Sequence, residues 1–203
     1  MNTRQSGWKR VGASLLGGLA LAAVAASCAS TDMTSTWTDP AAKGTALSKV
    51  AVLCMTKDEG LRRMAEDTAA AQMQGAQAIP SYQVLADTDL KDREAVKAKL
   101  QAAGVNGVLV MRMTGVTEQA SVVGGPYGTF DGYYAYAGSA MYAPAYVETD
   151  KIVHVVSNLY SLDQNKLIWS GTSQTFDPAS AKSFMTDVSK AVAKSLQKDR
   201  LIL

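Results

Sequence analysis

Few residues in this chain could do nucleophilic or acid–base chemistry. Two cysteines and one histidine occur among its 203 residues. Cys54 lies in the apolar run from Val50 to Met55, and His154 lies in the strand-like run from Lys151 to Val156. A thiol becomes a catalytic nucleophile when a neighbouring base activates it. Because no second base accompanies either residue, we predict that Cys54 is a buried apolar thiol and that His154 is structural.

Two further segments have residue types that bind ions. An acidic stretch carries four carboxylates, those of Asp87, Asp89, Asp92 and Glu94. It lacks the glycine and the distal glutamate of a calcium-binding EF-hand loop, so we interpret it as a solvated helix start. The stretch from Gly124 to Gly128 has neither the lysine nor the following helix of a phosphate-binding loop. The sequence therefore predicts no catalytic residues, no metal site and no cofactor, and indicates that the protein is not an enzyme.

Composition and charge restrict the class of protein. Hydrophobic residues make up 47% of the chain and charged residues 19%, which excludes a disordered chain and a polytopic membrane protein. The net charge of +2 depends on residues 1–27, which contain three basic and no acidic residues. Without those three, 17 basic residues remain against 18 acidic ones, a net charge of −1. Nucleic-acid binding is therefore not expected.

The first 27 residues have the pattern of a secretory signal peptide. Three basic residues, Arg4, Lys9 and Arg10, precede an uncharged run over residues 11–26. That run is shorter than the roughly 20 apolar residues of a spanning helix, so a permanent transmembrane helix is the less favoured alternative.

A cysteine directly follows the small residues that end this segment. Residues 25–28, Ala-Ala-Ser-Cys, resemble the lipobox of bacterial lipoproteins, with Ala25 where leucine is usual. The resemblance implies removal of residues 1–27 and acylation of Cys28 with palmitate-like chains, which anchor a protein stably when several are present. Ala29 follows in place of aspartate, which implies the periplasmic face of the outer membrane. A secreted protein with an incidental cysteine is the alternative.

The rest of the chain predicts one α/β domain behind a short linker. We interpret residues 28–48, rich in Ser, Thr and Ala, as a flexible tether, and residues 49–203 as the domain. Hydrophobic periodicity predicts strands over residues 49–55, 82–85, 107–122, 151–162 and 167–176. Helices are predicted after Asp58, over residues 92–103, and from Asp177-Pro178 onward, with apolar positions of the first helix at residues 61, 64, 65, 68, 69 and 72. This βαβαβββα order predicts a sandwich in which helices pack on a mixed sheet.

The segment over residues 123–147 has an unusual composition, rich in tyrosine and glycine. Long insertions are often functional, and tyrosine offers a large apolar area with a polar tip at low entropic cost. We predict that its aromatic residues bind a partner: Tyr127, Phe130, Tyr133, Tyr134, Tyr136, Tyr142 and Tyr146. The alternative is a low-complexity loop without a specific role.

Sequence features of the second half resemble a known group of proteins. Residues 158–162 (Asn-Leu-Tyr-Ser-Leu), residues 166–171 (Lys-Leu-Ile-Trp-Ser-Gly) and the Phe-Asp-Pro at residues 176–178 resemble a family of bacterial envelope lipoproteins with a domain of unknown function. A looser similarity extends to the domains of the curli-secretion channel lipoprotein, of the lipoproteins that activate penicillin-binding proteins, and of the amino-terminal part of the Tol propeller protein. The resemblance covers about residues 49–200.

This resemblance implies a Gram-negative cell envelope and a binding or assembly role. Another envelope protein is the expected partner, and Trp169 is expected in the core. The alternative is a structural subunit that self-associates into a homo-oligomer.

Overall fold

A computed structural model describes residues 30–122 and 147–203. In that part of the chain, six strands form one mixed sheet and three α-helices pack on it, so the predicted α/β class is confirmed. The elements are β1 (Thr31–Thr38), β2 (Lys49–Cys54), α1 (Glu59–Gln72), β3 (Gln77–Pro80), α2 (Arg93–Ala102), β4 (Gly107–Val122), β5 (Val147–Ser161), β6 (Lys166–Phe176) and α3 (Ala181–Lys198).

The strand order in the sheet is β1-β6-β5-β4-β2-β3. β2 runs parallel to β3 and β4, because α1 and α2 carry the chain back between these strands. The pairs β4–β5, β5–β6 and β1–β6 are antiparallel. The tight turn between β5 and β6 places Asn165 at φ +48, a conformation that asparagine tolerates well.

The first strand was not predicted. Residues 31–38 belong to the range that we interpreted as a tether, but they pair with β6 along their whole length. The tether prediction is therefore wrong for this range, because residues 31–38 form a strand of the sheet. The pattern was hard to read because a register shift after Met33 breaks the alternation and the other side chains are mostly Thr and Ser. The following segment is also held, since Leu47 is buried and its N–H donates to the Leu201 carbonyl.

The predicted strand over residues 82–85 is also wrong. The strand in this region is β3, which ends at Pro80 and continues into a 3₁₀ turn over Ser81–Gln83. The turn is held by α1, because the Ser81 hydroxyl and the Tyr82 N–H both donate to the Glu66 carboxylate.

Helix starts were predicted correctly in two of three cases. The Asp58 carboxylate accepts from the Leu61 N–H at 2.8 Å and begins α1, and the Asp92 carboxylate caps α2. The predicted start of α3 at Asp177 is wrong. The Asp177 N–H donates to the Lys151 carbonyl at 2.7 Å, which prolongs the β5–β6 ladder and delays the helix. Ser180 caps α3 instead, in a reciprocal capping box with Ser183.

The core lies on both faces of the sheet. α1 and α3 cover one face, where the largest buried side chains of the sheet are Trp169, Leu109 and Leu159. α2 covers part of the other face over Ala51 and Leu53. The expectation that Trp169 lies in the core is confirmed, since this side chain is fully buried. α1 and α3 both begin near one end of the sheet, and the candidate site lies there.

Candidate functional site

Strands β4 and β5 extend beyond the rest of the sheet. β2 pairs with β4 only as far as Met111, and β6 pairs with β5 only as far as Ile152. β4 and β5 nevertheless remain paired to Val122 and Val147. We call residues 118–122 and 147–151 the arm; its five residue pairs project about 17 Å at 3.3–3.4 Å per residue. Among the described strands, none flanks the arm, and only the Asp177 N–H donates to its base, at the Lys151 carbonyl.

Apolar side chains are exposed at the root of the arm. Met113 pairs with Val155 and Val116 pairs with Val153, so all four lie on the face that α1 and α3 cover further down. Met113 is 58% exposed and Val116 is 51% exposed, because the helices begin only below them. In the covered part of the same strand, Leu109 and Met111 are almost fully buried.

An apolar pocket lies next to this root, between the amino-terminal ends of α1 and α3. Its volume is about 360 Å³, within the range of ordinary ligand sites. Met111 and Met113 of β4 line it from the sheet, Leu61 lines it from α1, and Phe184 and Met185 line it from α3. Among the described residues around it, Arg112 is the only charged one.

The pocket rim is itself apolar and open to solvent. Met55 lies between β2 and α1 and is 54% exposed, and Leu61 is 40% exposed. Met55 and Leu61, together with Met113 and Val116, therefore leave apolar side chains exposed to water at this end of the molecule. Exposed apolar residues grouped in this way are typical of a contact surface, whereas single ones are not.

A buried polar cluster on the other side of Cys54 fixes α1 to the sheet. The fully buried Glu66 carboxylate accepts from the Cys54 N–H at 3.1 Å, from the Ser81 hydroxyl at 2.9 Å and from the Tyr82 N–H at 3.2 Å. Arg62 lies one turn earlier, with its Nε 3.8 Å from Glu66. A buried charge with this many partners holds its neighbours in one arrangement.

Sequence reasoning missed this cluster. The predicted apolar stripe of α1 included Leu61 and left Arg62 and Glu66 outside it, whereas the structure buries Arg62 and Glu66 and exposes Leu61. The partners that make burial of the charges acceptable, Ser81 and Asp87, come from a later segment of the chain. The i, i+4 spacing of Arg62 and Glu66 was the only local signal.

Cys54 lies between the pocket and the polar cluster and is buried, as predicted. Burial, together with the negative charge of Glu66, raises the pKa of the Cys54 thiol from 9.0 to about 12. A thiol with this pKa is protonated at neutral pH and is a poor nucleophile.

The remaining candidate chemical residues are not brought together. His154 lies on the opposite face of β5 from the pocket, where its Nε2 is 2.9 Å from the Thr117 hydroxyl. Asp92 caps α2, while Asp89 binds the Lys99 ammonium at 2.6 Å, which lowers the pKa of the Asp89 carboxyl. Asp87 pairs with Arg62 at 2.6 Å. Within the two described ranges, no group of three or more His, Cys, Asp or Glu residues could hold a metal ion.

Several predicted sites lie outside the described residues. These are the lipidation site Cys28 and the aromatic residues Tyr127, Phe130, Tyr133, Tyr134, Tyr136, Tyr142 and Tyr146. The segment that contains the aromatic residues begins after Val122 and ends before Val147, the last residue pair of the arm. None of the described helices is long and apolar enough to cross a membrane.

No family model matches the chain, and no curated protein is similar to it in sequence. Among solved structures, it is similar to a PelC dodecamer from Paraburkholderia phytofirmans, with 14% identity, a TM-score of 0.45, and coverage of 86% of this chain and 100% of that chain. A variant of that PelC dodecamer has 17% identity, a TM-score of 0.43, and coverage of 86% and 98%. The lipoprotein GNA1162 from Neisseria meningitidis has 17% identity, a TM-score of 0.38, and coverage of 74% and 99%. These likenesses concern the arrangement of the chain and not its function.

Proposed function

We propose that this protein is a lipid-anchored module of the bacterial cell envelope that binds another envelope protein without catalysing a reaction. Its anchor is an acylated Cys28 at the periplasmic face of the outer membrane. Its contact surface consists of the arm, the exposed apolar residues at the root of the arm, and the tyrosine-rich segment between the two strands of the arm.

The observation that carries this proposal is the extension of β4 and β5 beyond their neighbours. A two-stranded hairpin alone is marginally stable in water, and its free edges invite pairing with another chain. A chain whose only task was to close its own core would gain nothing from five extra residue pairs. A partner that covers Met113 and Val116 would bury apolar surface that is now exposed.

The absence of catalysis in this proposal is supported by the protonated state of Cys54. The thiol pKa of about 12 makes the residue unsuited to attack a substrate near neutral pH. His154 lies on the other face of the sheet and cannot serve it as a base.

The second candidate function is self-association into a structural assembly. Beyond Met111, one edge of β4 has no partner among the described strands. An exposed strand edge can accept a strand from a second copy by main-chain hydrogen bonding. The two functions use the same surface but differ in the identity of the molecule that covers it.

Crosslinking in cells followed by mass spectrometry separates these functions. The native protein is compared with a variant that lacks residues 126–146. One envelope protein crosslinked only in the native form is the expected result. Crosslinks between two copies of the protein that persist after the deletion would instead establish self-association. If the native protein and the deletion variant give the same unspecific crosslinks, a contact role for the segment is contradicted.

The anchor is tested separately. Cys28→Ala removes the thiol that carries the lipid, and we expect the protein to move from the membrane fraction to the soluble fraction. Intact-mass measurement of the native protein should show the added acyl groups. Tight membrane association of the Cys28→Ala variant would contradict the lipid as the sole anchor.

A further inference from the structure

The pocket beside the root of the arm has the properties of a site for a flexible apolar chain. Methionine thioethers from four places in the sequence, Met55, Met111, Met113 and Met185, line it. Methionine is unbranched and polarisable, and it adapts to ligands that have no fixed shape.

The two hydroxyl groups beside the pocket are already engaged within the protein, and Arg112 lies on the opposite face of β4 from Met111 and Met113. The Thr56 hydroxyl accepts from the Asp58 N–H at 3.4 Å, and the Ser180 hydroxyl accepts from the Ser183 N–H at 3.1 Å. A sugar or a nucleotide needs several convergent hydrogen-bonding groups, and the described lining does not offer them. The chemistry of the lining therefore selects a hydrocarbon.

The start of the described chain lies at the same end of the sheet as this pocket. The Ser30 carbonyl accepts from the Phe176 N–H at 3.1 Å, and Pro178, two residues further on, lines the pocket. Cys28 is two residues before Ser30, a distance of at most about 7 Å along the chain. By chain length alone, an acyl group on Cys28 is therefore attached within two residues of the strand end that lies beside Phe176, two residues from Pro178 in the pocket lining.

We infer that the pocket holds one of the acyl chains carried by Cys28 itself, an inference that rests on the proposed acylation of this residue. One chain lies in the pocket while the remaining chains stay in the membrane.

The experiment uses the protein in living cells. Cells are fed a palmitate analogue with a photoactivatable diazirine at mid-chain, irradiated, and the purified protein is digested for mass spectrometry. We expect crosslinks from the Cys28 peptide to the peptides that contain Met113 or Phe184. Ala181 is exposed and lines the pocket, so Ala181→Trp should fill the mouth and reduce these crosslinks at least tenfold.

The matched control is Ala102→Trp, an exposed alanine on α2 that does not line the pocket, and it should leave the crosslinks unchanged. An unchanged thermal unfolding midpoint shows that both variants fold. This inference alone would be overturned if the label on Cys28 crosslinks only to membrane lipid, or if it crosslinks to the pocket peptides to the same extent in Ala181→Trp and Ala102→Trp. Crosslinks that join two copies would overturn the assignment to the protein's own lipid. A Cys28 that carries no label would overturn both the anchor and this inference.

Discussion

The two halves of the β4–β5 pair differ in their surroundings. The two halves, residues 107–111 and 112–122 of β4 with their partners in β5, belong to one continuous ladder, apart from a register shift after Met113. The lower half is flanked by β2 and β6 and covered by helices, and Leu109 and Leu159 there are almost fully buried. The upper half is not flanked by β2, and β6 flanks it only as far as Ile152. Met113 and Val116 on its apolar face are more than half exposed. Strand pairing can thus continue where the core has ended.

This difference suggests that the two halves have different tasks. Buried apolar area stabilises the lower half, since each fully buried leucine contributes about 1.5–3 kcal/mol. The same kind of area in the upper half remains in contact with water, where it contributes little to folding and is available for binding. Four experiments test this division, and they follow from the largest expected effect to the smallest.

The reactivity of the Cys54 thiol should show whether the end of the lower half, next to the pocket, is closed to solvent. The shift of its pKa from 9.0 to about 12 lowers the thiolate population near pH 8 about a thousandfold. Alkylation by iodoacetamide at pH 8 should therefore be at least a thousandfold slower in the folded protein than in urea. Because the unfolded thiol ionises first, its ionisation should also destabilise the fold as pH rises from 9 towards 12. Rapid alkylation of the folded protein would show that the pocket opens into the core.

Removing the Glu66 carboxylate should detach α1 from the lower half. Glu66→Ala leaves the Ser81 hydroxyl and the Cys54 N–H unpaired and Arg62 without a buried counter-charge. We expect a loss of about 3–5 kcal/mol in the free energy of unfolding, measured by urea denaturation. The control is Glu59→Ala, which removes the exposed ion pair with Arg63 and should cost less than about 1 kcal/mol. Equal losses in the two variants would contradict a structural role for the buried cluster.

Truncation within β4 compares the two halves directly. Leu109→Ala removes a buried side chain and should lower the free energy of unfolding by about 2–5 kcal/mol. The loss is measured by urea denaturation and is compared with that of Val116→Ala.

The corresponding truncation in the upper half, Val116→Ala, should have the smallest effect. Val116 is half exposed, and substitutions of this kind change the free energy of unfolding by less than about 0.5 kcal/mol. A loss comparable to that of Leu109→Ala would mean that the upper half belongs to the folding core and would remove the reason for assigning it to binding.

Local sequence patterns were sufficient to predict the elements whose structure depends mainly on neighbouring residues. β4 has the predicted bounds of residues 107–122, and Asp58 and Asp92 cap the predicted helices, because alternation and capping depend on neighbouring residues. The sequence could not show that β1 is a strand, since its pairing depends on β6, about 140 residues later. It also could not show that Glu66 is buried, because Ser81 and Asp87 supply the partners.

The pocket lay beyond sequence reasoning for the same reason. Its lining comes from β2, α1, β4, β5 and α3, and no single segment contains a recognisable motif for it. The exposed Leu61 and Met113 each follow an ordinary apolar pattern in their own element. Only the positions at which α1 and α3 begin determine that these side chains remain uncovered.

Site-specific photocrosslinking tests the central claim, that the root of the arm is a contact surface, most directly. A photoreactive amino acid is placed at Val116 in the native protein in cells, and the control is Leu90, which is exposed to 37% and lies near α2. We expect a single discrete adduct from position 116 and none above background from position 90. The absence of an adduct at 116, or the same adducts from both positions, would contradict the claim.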